Sequence, residues 1–356
     1  MNNRERIDKL EQEGTLTREE LTILLYSYTD GDRDYAAEKA RNVSLANYGN
    51  SVFFRGLIEI SNYCKNDCYY CGIRNGNKKA VRYRLSPEDI LSCCDYGYGI
   101  GFRTFVMQGG EDDWFTDDRM SEIIGEIKRR YPDCAVTLSL GERGRASFQR
   151  LFDAGADRYL LRHETACKEH YEKLHPASLS FDHRMQCLRD LQEIGYQVGC
   201  GMMVGSPFQT VNNLVDDLIF MKELGPAMIG IGPFIPHHDT PFRDYKAGAA
   251  EATLFLLSVI RLMHPKVLLP ATTALGTVKG DGRELGVLAG ANVVMPNISP
   301  ADVRKNYLLY DNKIGTKDDA SESVKRLKDS MSAIGYEVVV SRGDYIGWRG
   351  DNLEGA

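Results

Sequence analysis

From Gly56 onward, apolar runs of five or six residues alternate with longer stretches of helical period. Strands buried on both faces read as near-continuous apolar runs, so this alternation is the pattern of repeated βα units around a parallel sheet. Eight such runs fall at 56–61, 104–108, 135–139, 158–162, 197–204, 228–232, 266–270 and 292–295. Helices are expected between them: from Pro87 behind the cap Ser86, and over 182–194, 212–224, 249–263 and 282–289. Eight strands separated by helices predict an α/β fold, a complete (β/α)8 TIM-type barrel rather than an open doubly wound sheet. Ahead of the barrel, residues 1–50 read as a helical extension; Thr17-Arg18-Glu19-Glu20 is a capping box opening 21–28, and a helix over 35–47 follows a turn at Gly31. The barrel is expected over 51–310. Residues 311–356 then form a short C-terminal extension packing on it, with a helix over 318–335, a short strand from Tyr336 and a loose polar tail from Gly343.

Composition narrows the class without changing this picture. With 43% apolar and 26% charged residues over 356 positions, the chain suits one barrel-sized soluble unit. A net charge of -6 with no basic tract argues against nucleic-acid binding. No apolar run approaches the roughly eighteen residues of a membrane span, and Met1–Leu10 is too charged for a signal peptide, so no membrane partner and a cytoplasmic location are expected. Six of the nine cysteines, Cys93, Cys94, Cys134, Cys167, Cys187 and Cys200, show no disulfide spacing and read as free thiols of a reducing compartment.

The other three cysteines carry the chemistry. Cys64, Cys68 and Cys71 form CxxxCxxC directly after the first strand. Three thiolates can hold three irons of a [4Fe–4S] cubane and leave the fourth open to a ligand that is not protein. Zinc is the competing reading, but a structural zinc site closes with a fourth ligand, and the first histidine is His163. With an aromatic before the third cysteine, the motif resembles that of the radical S-adenosylmethionine (SAM) enzymes.

Barrel active sites lie at the C-terminal ends of strands, and unusual polar groups recur there. Gln108-Gly109-Gly110-Glu111 follows strand two and resembles the stretch whose backbone meets the SAM ammonium; a plain tight turn is the alternative. Ser139 ends strand three. Arg162 and Glu164 alternate with Leu161 and His163 and would both point inward, for SAM or as a structural ion pair. Arg184 could clamp the SAM carboxylate or be a solvated helix residue. Thr272 and Thr273, with Ala274 beside them, place small hydroxyls at the mouth, too early to cap 282–289. Met203 and Met295 suit core or ligand contact, Tyr307 and Tyr310 could share a helical face, and His237 and His238 are loop histidines.

A closer resemblance rests on longer blocks: NDCYYCGIR at 66–74, LSLGE at 138–142, AGADRYLLRHET at 154–165, VDDL at 215–218, GIGPFIPH at 230–237, PATTA at 270–274 and GANVVMPN at 290–297. Together they resemble the [FeFe]-hydrogenase maturases of the HydE type over about residues 50–310. The resemblance implies cluster ligation by Cys64, Cys68 and Cys71. It implies SAM binding around Gln108, Gly109, Gly110, Glu111, Ser139, Arg162, Glu164, Arg184 and Met203, and a substrate or anion cavity at Thr272, Thr273, Ala274, Met295, Tyr307 and Tyr310. It further implies a 5′-deoxyadenosyl radical acting on a small organometallic iron–cysteinate complex with CO and cyanide, received from a partner maturase, with a separate electron donor. Some members carry three more cysteines shortly after the position of Tyr310; here 311–324 has none, so one cluster and no auxiliary cluster are expected. A methylornithine-synthase-like mutase and a metal-binding scaffold without turnover stay open. A biotin-synthase-like enzyme is disfavoured, because Cys200 is one residue off the strand-five cysteine of that family, and one residue in a strand turns a side chain to the other face.

Overall fold

The computed structural model describes residues 1–316 and 320–348. Three helices, Asn3–Glu13, Arg18–Ser27 and Asp30–Tyr48, lead into the sheet, and each opens with a complete capping box, at Asn2/Glu5, Thr17/Glu20 and Thr29/Asp32. The last of these corrects the turn expected at Gly31. Thr29 and Asp32 bond reciprocally across the first helical turn, so Gly31 is carried inside the helix.

The strands in chain order are β1 (Ser51–Phe54), β2 (Gly56–Ser61), β3 (Thr104–Gly109), β4 (Ala135–Ser139), β5 (Arg158–Leu160), β6 (Gln197–Cys200), β7 (Met203–Val204), β8 (Met228–Ile229), β9 (Gly232–Pro233), β10 (Val293–Val294) and β11 (Glu337–Val339). Strands β2-β3-β4-β5-β6-β8 form one parallel sheet in that order, with helices between them. Every residue of β2 is buried, as a strand covered on both faces requires.

Beyond β8 the pairing thins to single parallel bridges, Met228 with Leu268 and Pro270 with Val293, and Leu57 bridges to Asn297. No continuous strand forms over 266–270: Pro270 has no N–H to donate, and the Asn292 side chain takes the Leu269 N–H at 2.9 Å. The expected runs 197–204 and 228–232 each break in two, at Gly201 and Gly230. A Cβ on Gly201, whose φ is +157°, would sit 2.0 Å from the Gly230 carbonyl oxygen, so the two backbones touch there. The run 158–162 ends at Leu160, which leaves Arg162 and Glu164 in the loop above the sheet.

Ser51–Phe54 was not anticipated; it pairs in parallel with both β10 and β11. The terminal helix runs over Ala320–Ala333, and residues 318 and 319 of the expected helix lie outside the described residues. The tail expected to be loose is tied down as far as Trp348, while 349–356 lie outside the described residues. Arg158 is fully buried under the sheet, and Asp344 reaches it at 2.5 Å; Arg342 pairs with Asp157 at 3.0 Å, and Gln197 donates to Asp344 at 2.6 Å. A buried guanidinium needs acceptors, and the C-terminal strap supplies them. Among the described residues no helix is long and apolar enough to cross a membrane.

Candidate active site

The CxxxCxxC segment is a loop above β2, fixed from several sides. The N–H groups of Lys65, Tyr69 and Gly72 donate to the carbonyls of Glu111 (2.9 Å), Leu174 (3.0 Å) and Leu309 (2.8 Å). Arg82 holds the next turn: its guanidinium donates to the carbonyls of Ile73 (2.8 Å), Arg74 (2.6 Å) and Asn77 (3.1 Å), and to that of Asn62. Gly72 is obligatory for close approach, since a Cβ there would lie 2.2 Å from the Leu308 oxygen and 2.3 Å from the His237 ring.

The three thiols are free and partly exposed. Burial, then the neighbouring Cys64, pushes the Cys71 thiol up to about 12; burial, then Cys71, raises Cys68 well above its ordinary value. A multinuclear cation reverses this, because it binds thiolates and supplies the missing positive charge. Among the described residues, the ligand groups crowded within 4.8 Å of one another are Glu142–His183–Cys187 and His237–His238–Asp239. The three motif sulfurs are not such a set, whereas ligands sharing one tetrahedral zinc would stand about 3.8 Å apart. The donor set therefore fits a cluster whose cysteines bind different irons better than it fits one zinc ion.

The other expected cofactor residues gather around this loop. Gly110 lies against it: a Cβ there would come 2.2 Å from the Tyr63 oxygen and 2.7 Å from the Cys64 Cβ. Gly109 and Ser139 end adjacent strands, with Ser139 opposite Gln108, and Gln108 donates to the Tyr307 hydroxyl at 3.3 Å. Glu111 accepts the Glu142 N–H at 2.9 Å and stands 3.7 Å from Lys65. Met203 packs with Leu174, Phe234 and Phe242, against Tyr69 and Tyr70 of the cysteine loop.

Arg162 and Glu164 meet at 3.1 Å, but the contact is misaligned, and both Arg162 Nη2 and Glu164 Oε2 lack a hydrogen bond. Glu164 also carries a left-handed φ of +65°, uncommon for a residue with a side chain. Arg184 is not solvated. It is buried, with Nε 2.5 Å from Glu142 and Nη1 donating to the Arg162 carbonyl at 3.0 Å.

A second group gathers around Thr273. Thr272 caps the helix Thr273–Val278, an element missing from the sequence reading, so its hydroxyl serves the backbone in part. Thr273 accepts from Arg283 at 3.1 Å, and both line one cavity with Met295, Asn297 and Lys313. Ala274 packs beside Gly232 at the same rim. Tyr307 and Tyr310 do not share a helical face, because the helix before them stops at Arg304. Tyr307 is buried between Gln108 and Lys313, and burial pushes Tyr310 up to about 12. Lys313 pairs with the buried Glu59. His237 is buried against Gly72, whereas His238 is exposed and bonded to Asp311 at 2.7 Å.

Arg82, His175, Arg283 and Lys313 were not anticipated, and Glu142 stood only as the end of the 138–142 block after the third strand. His175 buttresses the cysteine loop: its Nδ1 faces the Tyr171 carbonyl at 2.9 Å and its Nε2 faces the Tyr70 hydroxyl at 3.1 Å. Burial lowers it to about 3, so it stays neutral, with Nδ1–H donating and Nε2 accepting. Its place in the sequence, over a hundred residues from Tyr70, carried no signal.

A half-barrel sheet with three cysteines at one strand end and charged groups at the others defines a radical SAM enzyme, and residues 58–221 match the Radical SAM superfamily. The chain is 44% identical over 314 residues to the [FeFe] hydrogenase maturase subunit HydE of Thermotoga maritima, covering 88% of this chain and 89% of that protein. It belongs to that maturase family. It is also 32% identical to 3-methylornithine synthase of Methanosarcina acetivorans, over 83% of this chain and 82% of that one. The crystal structure of methylornithine synthase superposes with a TM-score of 0.81 at 29% identity, covering 94% and 97% of the two chains. The maturase HydG superposes at 0.77 with 20% identity, over 93% of this chain and 74% of that chain, a likeness of fold. Membership of the superfamily implies a [4Fe–4S] cluster and SAM.

Proposed function

We propose that this chain reductively cleaves SAM at a single [4Fe–4S] cluster and uses the product to process a small organometallic iron precursor in assembly of the hydrogenase diiron subsite. The observation that carries it is the cysteine loop: three free, partly exposed thiols that do not crowd within 4.8 Å of one another as the ligands of one zinc ion would, on a backbone fixed by Arg82 and Gly72. Cys64, Cys68 and Cys71 would hold the cluster, whose contribution is one electron to the SAM sulfonium at its open iron. Gly109 and Gly110 admit backbone close to the SAM ammonium. Glu164 would offer its unbonded oxygen to the same group or to ribose, and Arg162 and Arg184 would supply the positive charge for the carboxylate. Ser139, Gln108, Glu111 and Met203 shape the surrounding wall.

Thr272, Thr273, Ala274, Met295, Tyr307 and Tyr310, with Arg283 and Lys313, would receive the precursor, which carries anionic ligands suited to hydroxyls and buried cations. In this reading the single bridges beyond β8 close a complete eight-stranded barrel over 51–310, with 1–50 as a helical extension and the described part of 311–356 as a C-terminal extension packed on it. The barrel wall keeps water from the reacting groups.

Anaerobic reconstitution with iron and sulfide, followed by reduction with SAM, tests the first half. About four irons per chain and release of 5′-deoxyadenosine are expected, with both lost in Cys68→Ser. Activation of an apo-hydrogenase separates the maturase from the mutase reading, and a protein that cleaves SAM but never supports activation refutes the substrate assignment.

A further inference from the structure

We propose that Glu142, His183 and Cys187 form a second metal site, separate from the cysteine loop, that takes one thiophilic divalent cation of the zinc class. His183 and Cys187 are four residues apart on the helix Phe181–Ile194, one turn apart on one face. Glu142, from the loop after β4, faces them. His183 Nε2 lies 3.6 Å from Cys187 Sγ and 3.5 Å from Glu142 Oε2, and all three donors fall within 4.8 Å of one another.

Tetrahedral coordination with zinc–nitrogen and zinc–oxygen bonds of about 2.1 Å and a zinc–sulfur bond of about 2.3 Å has edges of about 3.6 Å for N···S and about 3.4 Å for N···O. The His183–Cys187 and His183–Glu142 separations match these two edges without rearrangement. Ordinary hydrogen bonds among the same groups would be shorter for the nitrogen–oxygen contact. One nitrogen, one oxygen and one sulfur suit a borderline-soft ion, with a fourth position for water.

The donors are also held in place before any ion arrives. Ser180 accepts the His183 N–H at 3.2 Å, fixing the helix start, and Glu111 accepts the Glu142 N–H at 2.9 Å. Arg184 holds Glu142 Oε1 at 2.5 Å, which turns Oε2 towards His183, the kind of outer hydrogen bond that orients a ligating carboxylate. Cys187 is buried while His183 is half exposed, so an ion has an entry side. On binding, the Cys187 thiol proton leaves to solvent, and the thiolate and carboxylate balance the two positive charges. The other crowded group carries no such case: Lys79 and Asp311 already occupy Asp239 and His238 at 2.7 Å each.

The test uses the reconstituted, iron-loaded protein, so that the motif cysteines are already engaged. Zinc is titrated in against a chelating buffer, and zinc and iron per chain are read by elemental analysis. The expected result is one zinc per chain with iron unchanged, weakened about a hundredfold or abolished in His183→Gln and in Cys187→Ala, each of which should keep wild-type iron and thermal stability. X-ray absorption at the zinc edge should show one sulfur at about 2.3 Å with nitrogen or oxygen ligands at about 2.0–2.1 Å. Zinc that displaces iron, zinc that binds equally to both variants, or no bound zinc at micromolar free ion would each overturn the assignment. None of these outcomes bears on SAM cleavage, which is measured separately.

Discussion

The sharpest test of the cluster site is a pair of single-methyl insertions, Gly109→Ala and Gly110→Ala. Neither glycine has a left-handed φ, so the effect is steric alone. At Gly109 the new Cβ would meet the Ser61 oxygen at 3.3 Å and Ile60 at 3.4 Å, contacts relieved by shifts of a few tenths of an ångström. At Gly110 it would stand 2.2 Å from the Tyr63 oxygen, 2.7 Å from the Cys64 Cβ and 2.9 Å from the Tyr63 carbonyl carbon. Carbon–oxygen contacts normally begin at about 3.3 Å, so about 1 Å of overlap must be absorbed. The obstacles are backbone and a ligand's own Cβ, with no flexible side chain to give way. Overpacking of this kind costs about 1–3 kcal/mol, and roughly 2 °C of Tm per kcal/mol is expected for a large chain. A larger effect falls on the cluster, because a displacement near 1 Å at Cys64 exceeds what fixed iron–sulfur geometry tolerates. Iron per chain after anaerobic reconstitution, read beside a thermal melt, should fall several-fold in Gly110→Ala and stay near wild type in Gly109→Ala. Full iron loading of Gly110→Ala, or equal damage from both, would refute the placement of Gly110 against the ligand.

His175 gives a pH test. It titrates near 3 when folded and near 6.5 when unfolded, so the unfolded chain takes up the proton first, and stability falls as pH drops below about 6.5 by up to about 1.4 kcal/mol per unit. His175→Gln, whose amide can still donate to Tyr171 and accept from Tyr70, should flatten that fall by one proton between pH 6.5 and 5 in urea melts; an unchanged slope would count against a neutral buried His175. Asp344→Asn should destabilise by about 3 kcal/mol in urea, the low end for breaking a buried pair, since Arg158 keeps Thr104 and the Arg342 carbonyl. A loss under about 0.5 kcal/mol would show that the strap does not serve Arg158. Arg184→Lys cannot reach Glu142 and the Arg162 carbonyl together, so SAM should bind about tenfold more weakly to the reconstituted protein in equilibrium dialysis. Unchanged affinity would remove Arg184 from the SAM site.

What could be read along the chain followed from period and local chemistry. The six sheet strands β2–β6 and β8 announce themselves as apolar runs, and Ser86-Pro87 marks a helix start, because these depend on neighbours in sequence. The breaks at Gly201 and Gly230 could not be read, since they arise where two backbones meet across the sheet. Strand β1 was hidden because its partners, β10 and β11, lie more than two hundred residues away. The site divides the same way. Spacing alone singled out Cys64, Cys68 and Cys71, while Arg82 and His175 support them through contacts that no spacing encodes. The short helix after Thr272 was missed because six residues are too few to show a period, and the cap it receives is the duller role once set aside for that threonine.

The two ends of the sheet treat identical chemical groups in opposite ways, and this polarity is itself an argument for where the ligand goes. Beneath the sheet every oxygen contact of Asp157 and Asp344 is with a fitted donor: Lys128, the Val136 N–H and Arg342 for one, Arg158, Arg342 and Gln197 for the other. Above the sheet Glu164 is equally shielded, yet one oxygen has no hydrogen bond, its nearest cation is misaligned, and its backbone sits at φ +65°. Leaving a buried carboxylate so poorly matched costs stability, and the strained φ adds to that cost. Selection for folding alone would pair it as it paired Asp344. A carboxylate whose one ion pair is misaligned, held in a strained loop near the cysteines, is suited to a ligand carrying both an ammonium and a sulfonium.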